Sequence, residues 1–450
     1  MNGESERTHY DVIVAGGGLA GLCAAVGAAR AGADTLLIEK APCAGGIATN
    51  SLEPSICNFF RNRSGEFVLQ GAPLELIGRL ADKGAASPRW ADHRGHIIFD
   101  LELGKLAMDE MLEEAGVDIL YDSLVVGANA TDGHVNGVTV ANRSGLTDFT
   151  ATCYVDATGD NDLAHYAGAP MRYGGIPHSF LFRLGNVDLD AFVQYIRDHP
   201  EEHFTHTDIG LSLAEALRMY DETGIYLHHH WASKHMKLVQ EPIARGEYSE
   251  KFGPFYHMDV FQMHGLRANR TLVVNTGIFD MAEPEGRALS YWLRQGRKMS
   301  HHVAVFMRRQ FPGCADSFIV ATANAPGIRR TRWLQSDFTL TREMYDSAPR
   351  YADAIGRGVL MTEAPMHPTD RTFDISLRCL LPIGLDNVII GSGRGASCDP
   401  AELLRVMPIT MAVGHGAGVT AAMAARSQGA IRDVSIADVQ GELRRQDVNI

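Results

Sequence analysis

The stretch that decides the fold is DVIVAGGGLAGLCAAVGAARAGADTLLIEKAPCAGGIA, running from Asp11 to Ala48. Val12 to Ala15 make a short apolar run of the kind a buried parallel strand needs. Gly16, Gly18 and Gly21 follow at GxGxxG spacing. The first glycine allows a tight strand-to-helix turn, the second lets backbone approach a pyrophosphate, and the third lets helix and strand pack closely. From Leu22 to Ala31 the chain is alanine-rich and free of proline, which predicts a helix, and Gly32 is placed to end it. Thr35 to Ile38 predict a second strand with Glu39 at its tip, 18 residues after Gly21, where an acid accepts the hydroxyls of an adenosine ribose. The helix N-terminus adds N–H donors and a favourable dipole for phosphates. Glycine-rich turns alone are common, but strand, glycines, helix, strand and acid here fall in register, which points to a dinucleotide site.

The composition of the 450 residues, 45% hydrophobic and 21% charged, is ordinary for a globular protein and allows two or three domains. A net charge of −13 argues against a nucleic-acid or anionic-membrane partner. The opening MNGESERTHY lacks the apolar core of a signal peptide, and a cytoplasmic location is expected. The apolar run from Val406 to Ala425 contains Pro408, His415 and several glycines, so it reads as a buried helix and not as a membrane span. Seven cysteines with no CxxC pair read as reduced thiols.

Further along, Pro73 to Gly84 and Leu103 to Ala115 read as helices, the second stopped by Gly116. Several β-prone runs follow, with turn signals at Asp132-Gly133, Asn136-Gly137 and Ser144-Gly145. They predict a meander leading into a buried strand, Ala151 to Ala157. The middle, rich in His and aromatics, is less regular. Order returns with a strand at Leu272 to Asn275, a long helix at Glu285 to Gln310, a strand at Ser317 to Ala321, and a strand at Asn387 to Ile390 ahead of the apolar helix. Nucleotide-binding elements thus lie at both ends. The predicted fold class is α/β: a discontinuous Rossmann-like domain (1–170 and 321–450) with an inserted, mainly β plus helical, substrate domain (171–320).

Three signatures together resemble the FAD-dependent oxidoreductases of the glutathione-reductase-like fold. They are GGGLAG with IEK and GG-I-A-T, VDATGD at 155–160, and DNVIIGSGRGAS at 386–397 followed by RVMPITMAVGHGAG at 405–418. GIRRTRWLQSDFTLT at 327–341 and DISLRCLLP at 374–382 strengthen the resemblance, which covers roughly 10–175 and 265–445. It implies that FAD is the cofactor, that Gly16, Gly18 and Gly21 hold its pyrophosphate, and that Glu39 holds its ribose. Lys40, Gly45, Gly46 and Ala48 would line adenosine and diphosphate, with Val125 at the adenine edge. Ala157, Thr158, Gly159 and Asp160 would close over the cofactor, and Gly393 and Arg394 would reach its ribityl–phosphate region. Met407, Pro408 and Thr410 would present a partly positive helix end to the flavin N1/O2 edge, which becomes anionic on reduction. The chain departs from the family pattern at Cys398-Asp399-Pro400 and at Arg330, both expected on the substrate side.

A flavin supplies electron chemistry, and the protein must add a base, orientation and electrostatics. His257, His264 and Tyr256, in FYHMDVFQMHG, are candidate bases. Arg329, Arg332 and Arg378 sit in apolar or aromatic surroundings that suit a bidentate carboxylate clamp, or pairing with acids such as Asp337 or Asp374. His228 to His230 offer two ligands on one strand face but no third, so no metal is expected. No second GxGxxG follows a strand, which disfavours a separate NAD(P)H domain. The reading is an FAD-dependent dehydrogenase or oxidase that moves hydride from a small polar organic substrate to flavin N5. Electrons would leave to oxygen, a quinone or another carrier, and a homo-oligomer is left open. The alternatives are a flavin-dependent reductase or dehydrogenase of C=C bonds in a carboxylate-bearing substrate, and a non-redox flavin-binding protein.

Overall fold

A computed structural model describes residues 7–92, 96–203, 212–228, 232–362, 368–427 and 429–450. The first strand, His9–Ala15, runs parallel to Thr35–Ile38 on one side and to the C-terminal half of Gly145–Asp156 on the other. Asp118–Leu120 and Val388–Ile390 complete the parallel set at its two edges. Val12 to Ala15 and Thr35 to Ile38 are buried throughout, because helices cover both faces of a parallel sheet. The strand at Gly145–Asp156 is long enough to serve twice. Its first half pairs antiparallel with His134–Asn142, which pairs in turn with Leu124–Thr131. The strand at 388–390 therefore joins six strands from residues 9–156 in one sheet, while Ser55–Cys57 and His96–Ile98 pair separately.

The helix Leu19–Arg30 covers this sheet and is itself covered by Met407–Ala425. Small residues allow the two backbones to touch: a Cβ at Gly414 would lie 2.0 Å from the Ala20 oxygen, and one at Gly418 would lie 1.9 Å from the Ala24 oxygen. That contact explains why the apolar C-terminal run is so rich in glycine. Among the described residues no helix is long and apolar enough to cross a membrane.

A second sheet is wholly antiparallel, in the order Ile225–His228, Gln262–Leu266, Thr271–Phe279, His178–Gly185 and Phe318–Thr322. The long helix Gly286–Gln310 packs on it through Gly296, which lies against the Phe180 ring, and through Trp292, whose ring stacks on Phe279 at 4.1 Å. Most predicted elements stand within a few residues of their expected ends. Asn136-Gly137, expected as a turn, instead lies inside the strand His134–Asn142. Gly137 is there for space, since a Cβ would come within 3.1 Å of the Phe149 oxygen on the neighbouring strand. The seven cysteines form no disulfide.

Candidate active site

A cavity of about 1100 Å³ runs from the glycine loop after the first strand to the inner face of the antiparallel sheet. At the loop end, Gly16 has φ +99° and no room for a Cβ, which would meet the Ala157 oxygen at 2.6 Å. Gly46, at φ +56°, brings its backbone against Gly18, where a Cβ would lie 2.8 Å from the Gly18 Cα. The two loops thus leave a floor of bare backbone. Lys40, Gly45, Ala48, Val125, Ala157, Thr158, Gly159 and Asp160 share this wall with Gly16, Gly18, Gly46 and Glu39. The Glu39 carboxylate accepts from the N–H of Gly17 at 2.5 Å and of Ala41 at 2.8 Å, while burial pushes its pKa upward. Arg394 borders the cavity with its guanidinium tied to Asp160 at 2.8 Å and to the Ile328 oxygen at 2.7 Å. Met407 and Thr410 bring the first turn of the last long helix to the wall.

Three of the expected cofactor residues stand behind the wall. Gly21 packs helix on strand, since a Cβ there would overlap the Gly16 oxygen at 1.8 Å. Gly393 donates its N–H to Thr410 Oγ1 at 2.7 Å and has the Leu404 oxygen where a Cβ would be. Pro408 is buried in the first helical turn, where its missing N–H costs nothing.

At the other end the short strand Ser55–Cys57 and the residues before it alternate, so that Glu53, Ser55 and Cys57 all line the cavity. Gln262 and Asn275, paired across two strands of the antiparallel sheet, face them. Asn275 Nδ2 donates to Glu53 Oε2 at 2.8 Å, and His264 Nδ1 lies 3.7 Å from Oε1. Burial raises the Glu53 pKa to about 7, against the opposing pulls of Asn275 and of the Arg329 charge. Arg329 donates to the Pro177 oxygen and lies 3.5 Å from Ser179 Oγ, and its backbone N–H donates to His178 Nδ1 at 3.1 Å. That bond leaves His178 Nε2 to donate to the Met281 oxygen at 2.9 Å, and burial holds the imidazole neutral with a pKa of about 4. Burial, with the like charge of Arg405 adding to it, lowers the Arg329 pKa to about 10.

Of the candidate catalytic residues, the structure brings Tyr256, His257 and Arg329 to the cavity. Tyr256 does not suit a base, because burial and Asp280 push its pKa to about 12 and keep it a phenol. His264 is fully buried behind Glu53 and does not reach the cavity. Two arginines are not clamps. Arg332 wraps the Asp160 carbonyl at 2.6 Å and pairs with Asp162, and Arg378 pairs with Asp353 at 3.1 Å, half-exposed over Phe338. His228 is buried in its strand, His229 and His230 lie outside the described residues, and among the described residues no cluster has the make-up of a metal site. The sequence reading passed over Glu53 and Arg405. The available signal was isolation: Glu53 is the only charge between Lys40 and Arg61, and Arg405 immediately precedes an apolar helix.

Bare backbone at the glycine loops, an acid at the second strand and a helix N-terminus on the same wall form a cradle with the donors and acceptors that an elongated dinucleotide requires. The chain belongs to the FAD dependent oxidoreductase family, whose model matches residues 11–443, and its cofactor is FAD. Among curated relatives it is 27% identical over 196 residues to the digeranylgeranylglycerophospholipid reductase of Thermoplasma acidophilum, covering 40% of this chain and 48% of that protein. It is 29% identical over 196 residues to digeranylgeranylglycerophospholipid reductase 2 of Methanothermobacter thermautotrophicus, again covering 40% and 48%. The chain thus spans about half the length of these relatives. Among solved structures, a geranylgeranyl bacteriochlorophyll reductase-like protein from Thermoplasma acidophilum aligns with a TM-score of 0.46 at 13% identity, over 97% of this chain and 83% of that one.

Proposed function

We propose that the chain catalyses a two-electron oxidation of a small polar organic substrate, with Glu53 accepting the proton. One observation carries this reading: a buried carboxylate on the cavity wall whose pKa, about 7, suits a general base at neutral pH. Bound FAD supplies the hydride acceptor at its N5. Asn275 orients the Glu53 carboxyl, and the Tyr256 phenol is placed to donate to a substrate oxygen. Gln262 offers a further polar contact on the same wall. Electrons then pass to oxygen, a quinone or another carrier.

The test begins with an anaerobic bleaching screen of the FAD-loaded protein against small alcohols, amines and hydroxy acids. With a bleaching compound in hand, flavin reduction is timed in wild type and in Glu53→Gln. The variant is expected to keep its FAD and lose about 10²- to 10⁴-fold in rate, the usual worth of a general base. An undiminished rate would remove Glu53 from the mechanism, and flavin that no compound bleaches would favour a non-redox role.

A second reading, reduction of a C=C bond, draws support from the names of the curated relatives and from an apolar stretch of wall that includes Leu181, Val260, Ile278, Leu289 and Leu293. Protonated Glu53 would then give its proton to the carbon skeleton. Anaerobic reoxidation of the reduced protein by an enoate or a prenyl alkene, with loss of the double bond, would decide for it.

A further inference from the structure

The substrate end of the cavity holds more positive charge than its surroundings neutralise. Arg329 and Arg405 both line it, near enough for the charge of one to act on the other. Among the described residues neither guanidinium forms an ion pair with a carboxylate, and Arg405 Nε is a buried N–H with no hydrogen-bond partner. The groups around them bring little compensation. Cys57 and Cys398 both act on Arg405, but burial pushes each thiol to about 12 and leaves it neutral. Glu402, on the same short helix as Arg405, acts on it through space only. His178 is neutral, and the Glu53 carboxyl is turned toward Asn275 and His264. Among the described residues Arg329 is thus opposed by the Glu53 carboxyl alone, and Arg405 by Glu402 without contact, so neither guanidinium has an oxyanion on it. An enclosed cation without a partner is costly, and a guanidinium is satisfied best by a planar oxyanion bound through two parallel hydrogen bonds.

We propose that the substrate carries a carboxylate and that Arg329 and Arg405 grip it, with the reacting carbon turned toward Glu53. This rests on the oxidoreductase reading above and holds for either direction of electron flow. The competing anion is the cofactor's own pyrophosphate. Position decides against it: the bare glycine floor lies with Lys40 and Glu39, whereas Arg405 acts on Cys57 and Arg329 acts on Glu53, at the opposite end. Arg405 also directly precedes Val406 and the helix Met407–Ala425, whose first turn reaches the cavity, so the gripped group is held beside that helix end.

The experiment titrates the FAD-loaded protein with acetate and succinate, with succinamide as the uncharged control and inorganic phosphate as the rival anion. Perturbation of the flavin absorption reports binding without turnover. Carboxylates are expected to bind saturably and the amide not. Arg329→Gln and Arg405→Gln should each keep FAD and bind carboxylate about 10- to 100-fold more weakly, as loss of a charge-assisted hydrogen bond requires, with Arg405→Lys intermediate. Amide binding equal to carboxylate, phosphate binding more tightly than either acid, or Arg405→Gln emerging without FAD would each overturn the inference. If a glutamine variant fails to fold, the wild-type comparison of carboxylate with amide still decides. Carboxylates that bind but never exchange electrons with the flavin would leave the grip standing and remove the proposed reaction instead.

Discussion

Replacing Glu53 by Gln should stabilise the protein, and by an amount that depends on pH in a defined direction. Burial raises the Glu53 pKa from 4.5 to about 7, so between those values the folded state binds a proton that the unfolded state has released. Stability from this group is then complete below about pH 4.5 and falls as pH rises through 7. Ionising the buried carboxyl over roughly 2.5 pH units costs about 3 kcal/mol, at 1.36 kcal/mol per unit. Glutamine keeps the shape and can still accept from Asn275, but carries no charge to desolvate. Chemical denaturation of the FAD-loaded protein should show wild type and Glu53→Gln nearly equal at about pH 5, with the variant ahead by about 3 kcal/mol at about pH 8. A difference that is flat across this range, or that favours wild type at high pH, would refute the raised pKa and with it the case for Glu53 as a base. If Glu53 is the base, the same ionisation should make flavin reduction by substrate rise with pH through about 7 in wild type, as stopped-flow bleaching at a series of pH values would show.

Other perturbations probe separate parts of the argument. Glu39→Ala should weaken FAD binding about 10- to 100-fold, as fluorescence titration of the apoprotein would show, because a buried acceptor of charge-assisted hydrogen bonds is lost from the cavity wall. Gly418→Ala places a methyl 1.9 Å from the Ala24 oxygen and should cost about 1–3 kcal/mol or more in stability by forcing two packed helices apart. Arg378→Gln should leave substrate turnover unchanged and cost at most about 1 kcal/mol, because its pair with Asp353 is half in solvent. His415 is buried beside Gln446, and burial lowers its pKa to about 4, so this group's contribution is full above its unfolded pKa of 6.5 and is lost as pH falls toward 4. His415→Gln should flatten that part of the acid-stability profile in a pH-jump unfolding assay.

The sequence by itself determined the elements whose reasons are local. The GxGxxG loop, the acid at Glu39, the glycine stop at Gly116 and the apolar helix at 407–425 each follow from backbone freedom, hydrogen bonding or period, all of which act within a few residues. It offered Tyr256, His257 and His264 as bases and Arg329, Arg332 and Arg378 as clamps, but only the folded chain brings Tyr256, His257 and Arg329 to one cavity. What it could not determine is which charges meet. Arg329, Arg332 and Arg378 stand in similar local sequences, yet one faces the cavity, one is bound to Asp162 and one to Asp353. Only the tertiary structure separates them, because desolvation and pairing depend on what the rest of the chain brings within a few ångströms. Glu53 shows the same limit most clearly. Its neighbours in sequence are uncharged, and its raised pKa comes from the antiparallel sheet closing over it more than two hundred residues later.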